Sequence, residues 1–95
     1  MTLHVVAELR VTAGNEDRLR TALEAMIEPS LAEPGCLSYQ PFTNPNDPAH
    51  MVVVEEWQDA DALEKHFATD HFQHVAGVLE GIVAEPMIIR RLVAE

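Results

Sequence analysis

Residues 3–12, LHVVAELRVT, alternate: Leu3, Val5, Ala7, Leu9 and Val11 point one way, and His4, Val6, Glu8 and Arg10 the other. A period of two over this length is a strand with one buried face. The segments that follow supply its neighbours and its cover. AGN breaks the alternation, and Asn15 stands where a helix cap belongs, with Glu16 and Asp17 in the first turn, where acids suit the helix dipole. Leu19, Ala22, Leu23, Met26, Ile27 and Leu31 then recur at helical spacing, predicting one helix over 15–32 with a kink at Pro29 and an end at EPG. CLSYQPF (36–42) is a short strand, and Pro41 suits it to an edge or a bulge. TNPNDPAH is rich in turn residues and predicts a loop. MVVVEEW (51–57) predicts a central strand. Asp59 caps a helix over ADALEKHFAT. A further helix starts near Asp70 with Phe72, Val75, Val78, Leu79 and Ile82 as its stripe, and PMIIRRLVA (86–94) is the last strand.

The order β-α-β-β-α-β is the split βαβ of ferredoxin-like α+β domains, a four-stranded antiparallel sheet with helices on one face. All 95 residues form a single domain, 1–95, because no repeat or linker divides them. A chain this short buries only about 60–65% of its unfolded surface, which favours association. No polar face is evident in MVVV or MII, so those strands are expected to be covered on both sides, and sheet-to-sheet homodimerisation follows. Sixteen acids against six bases give a net charge of −10, which disfavours nucleic acid and anionic membrane as partners. No apolar run is long enough to span a membrane. The N-terminal MTLHVVAELR lacks a basic region and a cleavage site and is not read as a signal peptide. The single cysteine, Cys36, excludes an intrachain disulfide and fits a reducing cytoplasm.

Three stretches resemble the antibiotic biosynthesis monooxygenase (ABM) family of dimeric α+β barrels: EPGCLSYQPF, VVVEEWQDADALEKHFATDHF and the final RRL. The middle one is the most specific, with Glu-x-Trp at a strand end, an acidic cap, and a His nine positions beyond the Trp (57 to 66). The resemblance implies a homodimer that oxidises a quinol-like or polycyclic phenolic substrate with O2 and uses no metal or organic cofactor. A haem-degrading branch of the family carries an Asn on the first strand, a Trp on the second helix and a haem-ligand His beyond it. The matching positions here, Leu9, His66 and Ala76, all depart from that pattern.

Cofactor-free oxygenation needs an electron-rich substrate anion, because triplet oxygen reacts poorly with closed-shell molecules. The protein must supply an apolar cavity, a base that titrates near neutrality, and donors to hold the anion. Histidine is the natural base. His66, at the edge of the apolar stripe of LEKHF beside Leu63 and Phe67, is either a satisfied histidine bonded to a neighbouring backbone group or carboxylate, or a pocket residue. The family's helix-2 position favours the second. His71, at the break between helices, is the other catalytic candidate. Trp57, Tyr39, Phe42 and Phe67 are candidate aromatic walls for a flat substrate, although each also reads as core. Glu55 is a candidate for orienting a histidine or pairing with Arg90 or Arg91. His71 and His74 have usable ligand spacing. Yet His66 and His71 straddle the break at ATD, and HExxH is absent, so no metal site is expected. His4 and His50 read as surface or interface residues. Two alternatives share this sequence: an isomerase or degrading enzyme for a small signalling metabolite, and a small-molecule-binding or stress-response domain without turnover.

Overall fold

The alternating first strand becomes the hub of the sheet. In the computed structural model, which describes residues 2–93, β1 (Leu3–Arg10) pairs with β3 (Asp47–Trp57) on one side and β4 (Ile88–Val93) on the other. β2 (Cys36–Asn44) lies beyond β3, giving the antiparallel order β2-β3-β1-β4. Four helices cover one face: α1 (Glu16–Glu24), α2 (Ile27–Leu31), α3 (Ala60–Phe67) and α4 (Asp70–Glu80). This is the expected α+β ferredoxin-like arrangement. Toward the helices the sheet presents Leu3, Val5, Ala7 and Leu9 of β1, Met51, Val53, Glu55 and Trp57 of β3, and Tyr39 of β2, all buried. Each fully buried Leu or Val there is worth roughly 1.5–3 kcal/mol.

Several boundaries differ from the sequence reading, each for a local reason. The helix expected over 15–32 is two, broken at Ala25–Met26. Pro29 has no N–H for the Ala25 carbonyl and its ring would crowd it, so the break falls four residues before the proline and Pro29 sits in the first turn of α2. Asn15 precedes α1 but its side chain makes no cap bond; its Nδ2 donates instead to Thr12 Oγ1 at 2.8 Å. The loop expected over 43–50 is a hairpin: β2 runs on to Asn44 and β3 begins at Asp47. Asn44 Oδ1 accepts from Asn46 N at 2.9 Å and Asp47 Oδ1 from Ala49 N at 3.1 Å, so the polar side chains close the turn instead of lengthening it. Pro41 lies on the edge strand as anticipated. α4 ends at Glu80, after which Val83 bridges to Val11. β4 starts at Ile88, not at residue 86, and its expected extension to Ala94 lies outside the described residues.

The face away from the helices carries Val6, Val52 and Val54 with Phe42, Ile88 and Leu92. The last four are exposed large hydrophobics. Among them runs a polar row. Asn44 Nδ2 meets His50 Nδ1 at 3.1 Å, His50 Nε2 meets Glu8 Oε1 at 2.8 Å, and Arg90 donates to Glu8 Oε2 at 2.7 Å. His50, read as a surface or interface residue, is part of a network spanning all four strands.

Candidate active site

α3 places the central histidine. Asp59 caps it by accepting from Ala62 N at 2.9 Å, which fixes its start. Ala62, Leu63 and His66 then share the buried face, the spacing of one helical stripe. His66 is therefore not at the edge of the stripe: it is 2% exposed. Thr69, which the sequence reading did not single out, caps α4 by accepting from Phe72 N at 3.2 Å and donates its hydroxyl hydrogen to the His66 carbonyl at 2.7 Å. The two helices are thereby held at a fixed break, with His71 in the first turn of α4.

Glu33 completes the cluster. It lies in the EPG turn, where Gly35 adopts φ +91° and its carbonyl accepts from Gln58 N at 2.7 Å. That bond ties the turn to the residue before the α3 cap. The Glu33 side chain reaches between α3 and α4, and its Oε2 accepts from His66 Nδ1 at 2.6 Å and from His71 Nε2 at 2.7 Å. Both ring nitrogens must then carry hydrogen. In neutral His66 this leaves Nε2 as a lone-pair acceptor. Burial holds the His66 pKa below its ordinary value, only partly offset by the Glu33 carboxylate, so the ring is neutral at pH 7.

Between the helix layer and the sheet lies a cavity of about 40 Å³. Its polar lining is His66, Tyr39 and Glu55; the rest is apolar, including Phe67, Phe72 and Met87. Glu55 Oε1 accepts from Trp57 Nε1 at 2.9 Å. Burial, with a smaller contribution from Glu33, pushes the Glu55 carboxyl up to about 7 against the pull of that bond. Burial also drives the Tyr39 phenol well above its usual range, so it stays a donor. Ser30 Oγ is the one sealed side-chain polar atom lacking a partner among the described residues. Tyr39, Glu55 and His66 all lie on the cavity wall. A neutral acceptor, a carboxyl balanced between its two forms and a phenolic donor thus converge on one apolar space.

Of the residues expected at the site, His66, Tyr39, Phe67 and Glu55 line this cavity. Phe42 does not: its register opposite Val52 turns it to the far face, where it is 51% exposed. Trp57 does not line the cavity either. It is fully buried, with its ring centroid 4.6 Å from that of His66 and its N–H occupied by Glu55. His71 is absent from the lining and joins the site through Glu33. Glu55 pairs with neither arginine, since Arg90 donates to Glu8 and Arg91 to Glu64 at 3.0 Å. The two readings of His66 turn out not to be alternatives, for it is bonded to a carboxylate and lines the pocket. The spacing argument against His66 and His71 acting together also fails, because the helix break turns both rings toward Glu33. Glu33, Phe72 and Met87 were not foreseen as site residues. Glu33 is separated from its partners by 33 and 38 positions, and only the acid beside a Pro-Gly turn hinted at it.

Residues 2–77 match the family model described as antibiotic biosynthesis monooxygenase. The chain is 30% identical over 93 residues to the Escherichia coli K12 protein named probable quinol monooxygenase YgiN, covering 87% of this chain and 89% of that one. It is 27% identical over 86 residues to the uncharacterized protein sll1783 of Synechocystis; the match takes in 90% of this chain but spans only 58% of that protein's length. The crystal structure of PA3566 from Pseudomonas aeruginosa superposes with a TM-score of 0.92 at 30% identity, covering 99% of this chain and 94% of that one. Among the described residues no helix is long and apolar enough to cross a membrane.

Proposed function

The chain belongs to the antibiotic biosynthesis monooxygenase family, and from that premise we propose that it oxidises a quinol-like or polycyclic phenolic substrate with O2, without a metal or organic cofactor. The observation that carries this reading is the Glu33–His66 bond, which leaves Nε2 as the acceptor nitrogen of a residue that lines an apolar cavity. His66 Nε2 takes the phenolic proton, and the imidazolium so formed is stabilised by Glu33. The Tyr39 hydroxyl and, when protonated, Glu55 donate to the substrate oxygen. The electron-rich anion passes one electron to O2. The radical pair then combines at a ring carbon bearing hydrogen, the His66 imidazolium returns its proton to the resulting peroxide anion, and the hydroperoxide loses water to leave a carbonyl. One oxygen atom enters the product and the other leaves as water.

A second copy of the chain is the proposed occupant of the outer sheet face, whose exposed Phe42, Val54, Ile88 and Leu92 support a homodimer.

His66→Ala is expected to slow oxygen uptake with a quinol panel by about 10²–10⁴-fold, the usual loss for a general base. Because His66 is buried, His66→Gln is the companion variant that keeps volume. Exposed His74→Ala should change little. Activity should rise with pH through one ionisation below about 6.5, the direction in which burial moves His66. Full activity in both His66 variants would remove it from the reaction. One competing reading is a ligand-binding domain without turnover. Ligand-induced thermal stabilisation without oxygen consumption would select it.

A further inference from the structure

We propose that Glu33, His66 and His71 form a site for a divalent transition metal of the zinc class, and that filling it reverses the hydrogen-bonding sense of His66 in the cavity. The functional half of this inference rests on the role of His66 proposed above; the binding half does not.

One donor atom from each of the three residues can be chosen so that all lie within 4.8 Å of one another. Nitrogen and oxygen ligands about 2.0–2.1 Å from a tetrahedral zinc stand roughly 3.3 Å apart. The two nitrogens now lie 2.6 and 2.7 Å from Glu33 Oε2. These two gaps must each widen by less than about 1 Å, and the separation of the two ring nitrogens, which lies within 4.8 Å, must come to roughly 3.3 Å to admit the ion. Two imidazoles and one carboxylate suit zinc, nickel or copper, and three protein donors leave a position for water. The ligands come from the EPG turn, α3 and α4, so the fold has already ordered them. A surface hollow lined by Glu33, Asp59, Asp61 and Lys65 opens beside the carboxylate, and its two further acids favour an approaching cation. The plain alternative is a hydrogen-bond cluster. It accounts for the distances, but it makes no use of two imidazoles directed at a single oxygen.

A metal on His66 needs the Nδ1 lone pair. Each ring then keeps its one hydrogen on the other nitrogen, and no proton is gained or lost by a neutral pair. For His66 that hydrogen sits on Nε2. Nε2 of this cavity-lining residue changes from acceptor to donor, and the ring can no longer take a proton from a substrate. Bound metal would therefore inhibit.

Chelator-treated protein titrated with zinc chloride in a calorimeter should bind one ion per chain. Affinity should fall at least about tenfold in Glu33→Gln and in His71→Ala, as expected when a ligand is lost. His71 is 25% exposed, and His71→Gln with circular dichroism serves if the alanine variant folds poorly. Long-range ¹⁵N–¹H spectra should show His66 with hydrogen on Nδ1 before zinc and on Nε2 after. Absence of one-to-one binding, equal affinity in the folded variants, or an unchanged tautomer would overturn the proposal. Oxygen uptake by the metal-free protein tests the enzymatic reading separately.

Discussion

Glu55 is a carboxyl group in the core that accepts from the Trp57 indole, its one hydrogen-bond partner among the described residues. Its folded pKa of about 7 lies above the ordinary 4.5, so the folded chain keeps a proton that the unfolded chain releases. The stability this contributes is complete below pH 4.5 and is lost as pH rises through 7. Glu55→Gln keeps an acceptor for Trp57 and removes the ionisation. Urea unfolding should find this variant more stable than the parent by on the order of 1–3 kcal/mol at pH 8, and nearly equal to it near pH 4.5. A difference that does not vary with pH would contradict the assignment. His66 acts in the opposite sense. Its depressed pKa means that its contribution is present above about 6.5 and lost as pH falls through the folded value. Glu55 was legible in the sequence as an acid on a central strand, and His66 as a histidine only at the edge of an apolar stripe. Glu33 was not, because its partners come to it only through tertiary contact.

At the scale of elements, the EPG turn sets the site. An added Cβ on Gly35 would stand 2.7 Å from Ala62 Cβ, and the φ of +91° is strained for any side chain. Gly14 has φ +93° but nothing within 4 Å. Gly35→Ala should therefore cost about 2–4 kcal/mol, strain plus overpacking, while Gly14→Ala should cost only about 1. Paired urea curves measure both, and equal losses would show that the Ala62 contact carries no weight. Strand and helix periodicity gave the element order correctly because each period reports one buried face. Positions that punctuate the elements were harder to read. Pro29 acted four residues upstream of itself, and the polar residues of TNPNDPAH closed a tight hairpin where their composition alone suggested a loop.

For the molecule as a whole, the outer sheet face leaves Phe42, Val54, Ile88 and Leu92 exposed. If a second copy covers it, the area buried should exceed the roughly 1,200 Å² of a standard stable interface. The parent chain should then sediment as a dimer at micromolar concentration. Val54→Glu, on a central strand of that face, should sediment as a folded monomer; an unchanged dimer would place the contact elsewhere. The cavity on the opposite side has a consequence in time. Pockets that receive drug-sized ligands measure roughly 300–1,000 Å³, and this one measures about 40 Å³. If an aromatic ring is to bind there, partly exposed lining side chains such as Phe72 and Met87 must first swing aside, and the protein's own clock would then limit capture. In stopped-flow mixing the observed rate should level off as ligand concentration rises, at a ceiling shared by different aromatic ligands, whereas a rate that keeps climbing linearly would mean the door was never shut.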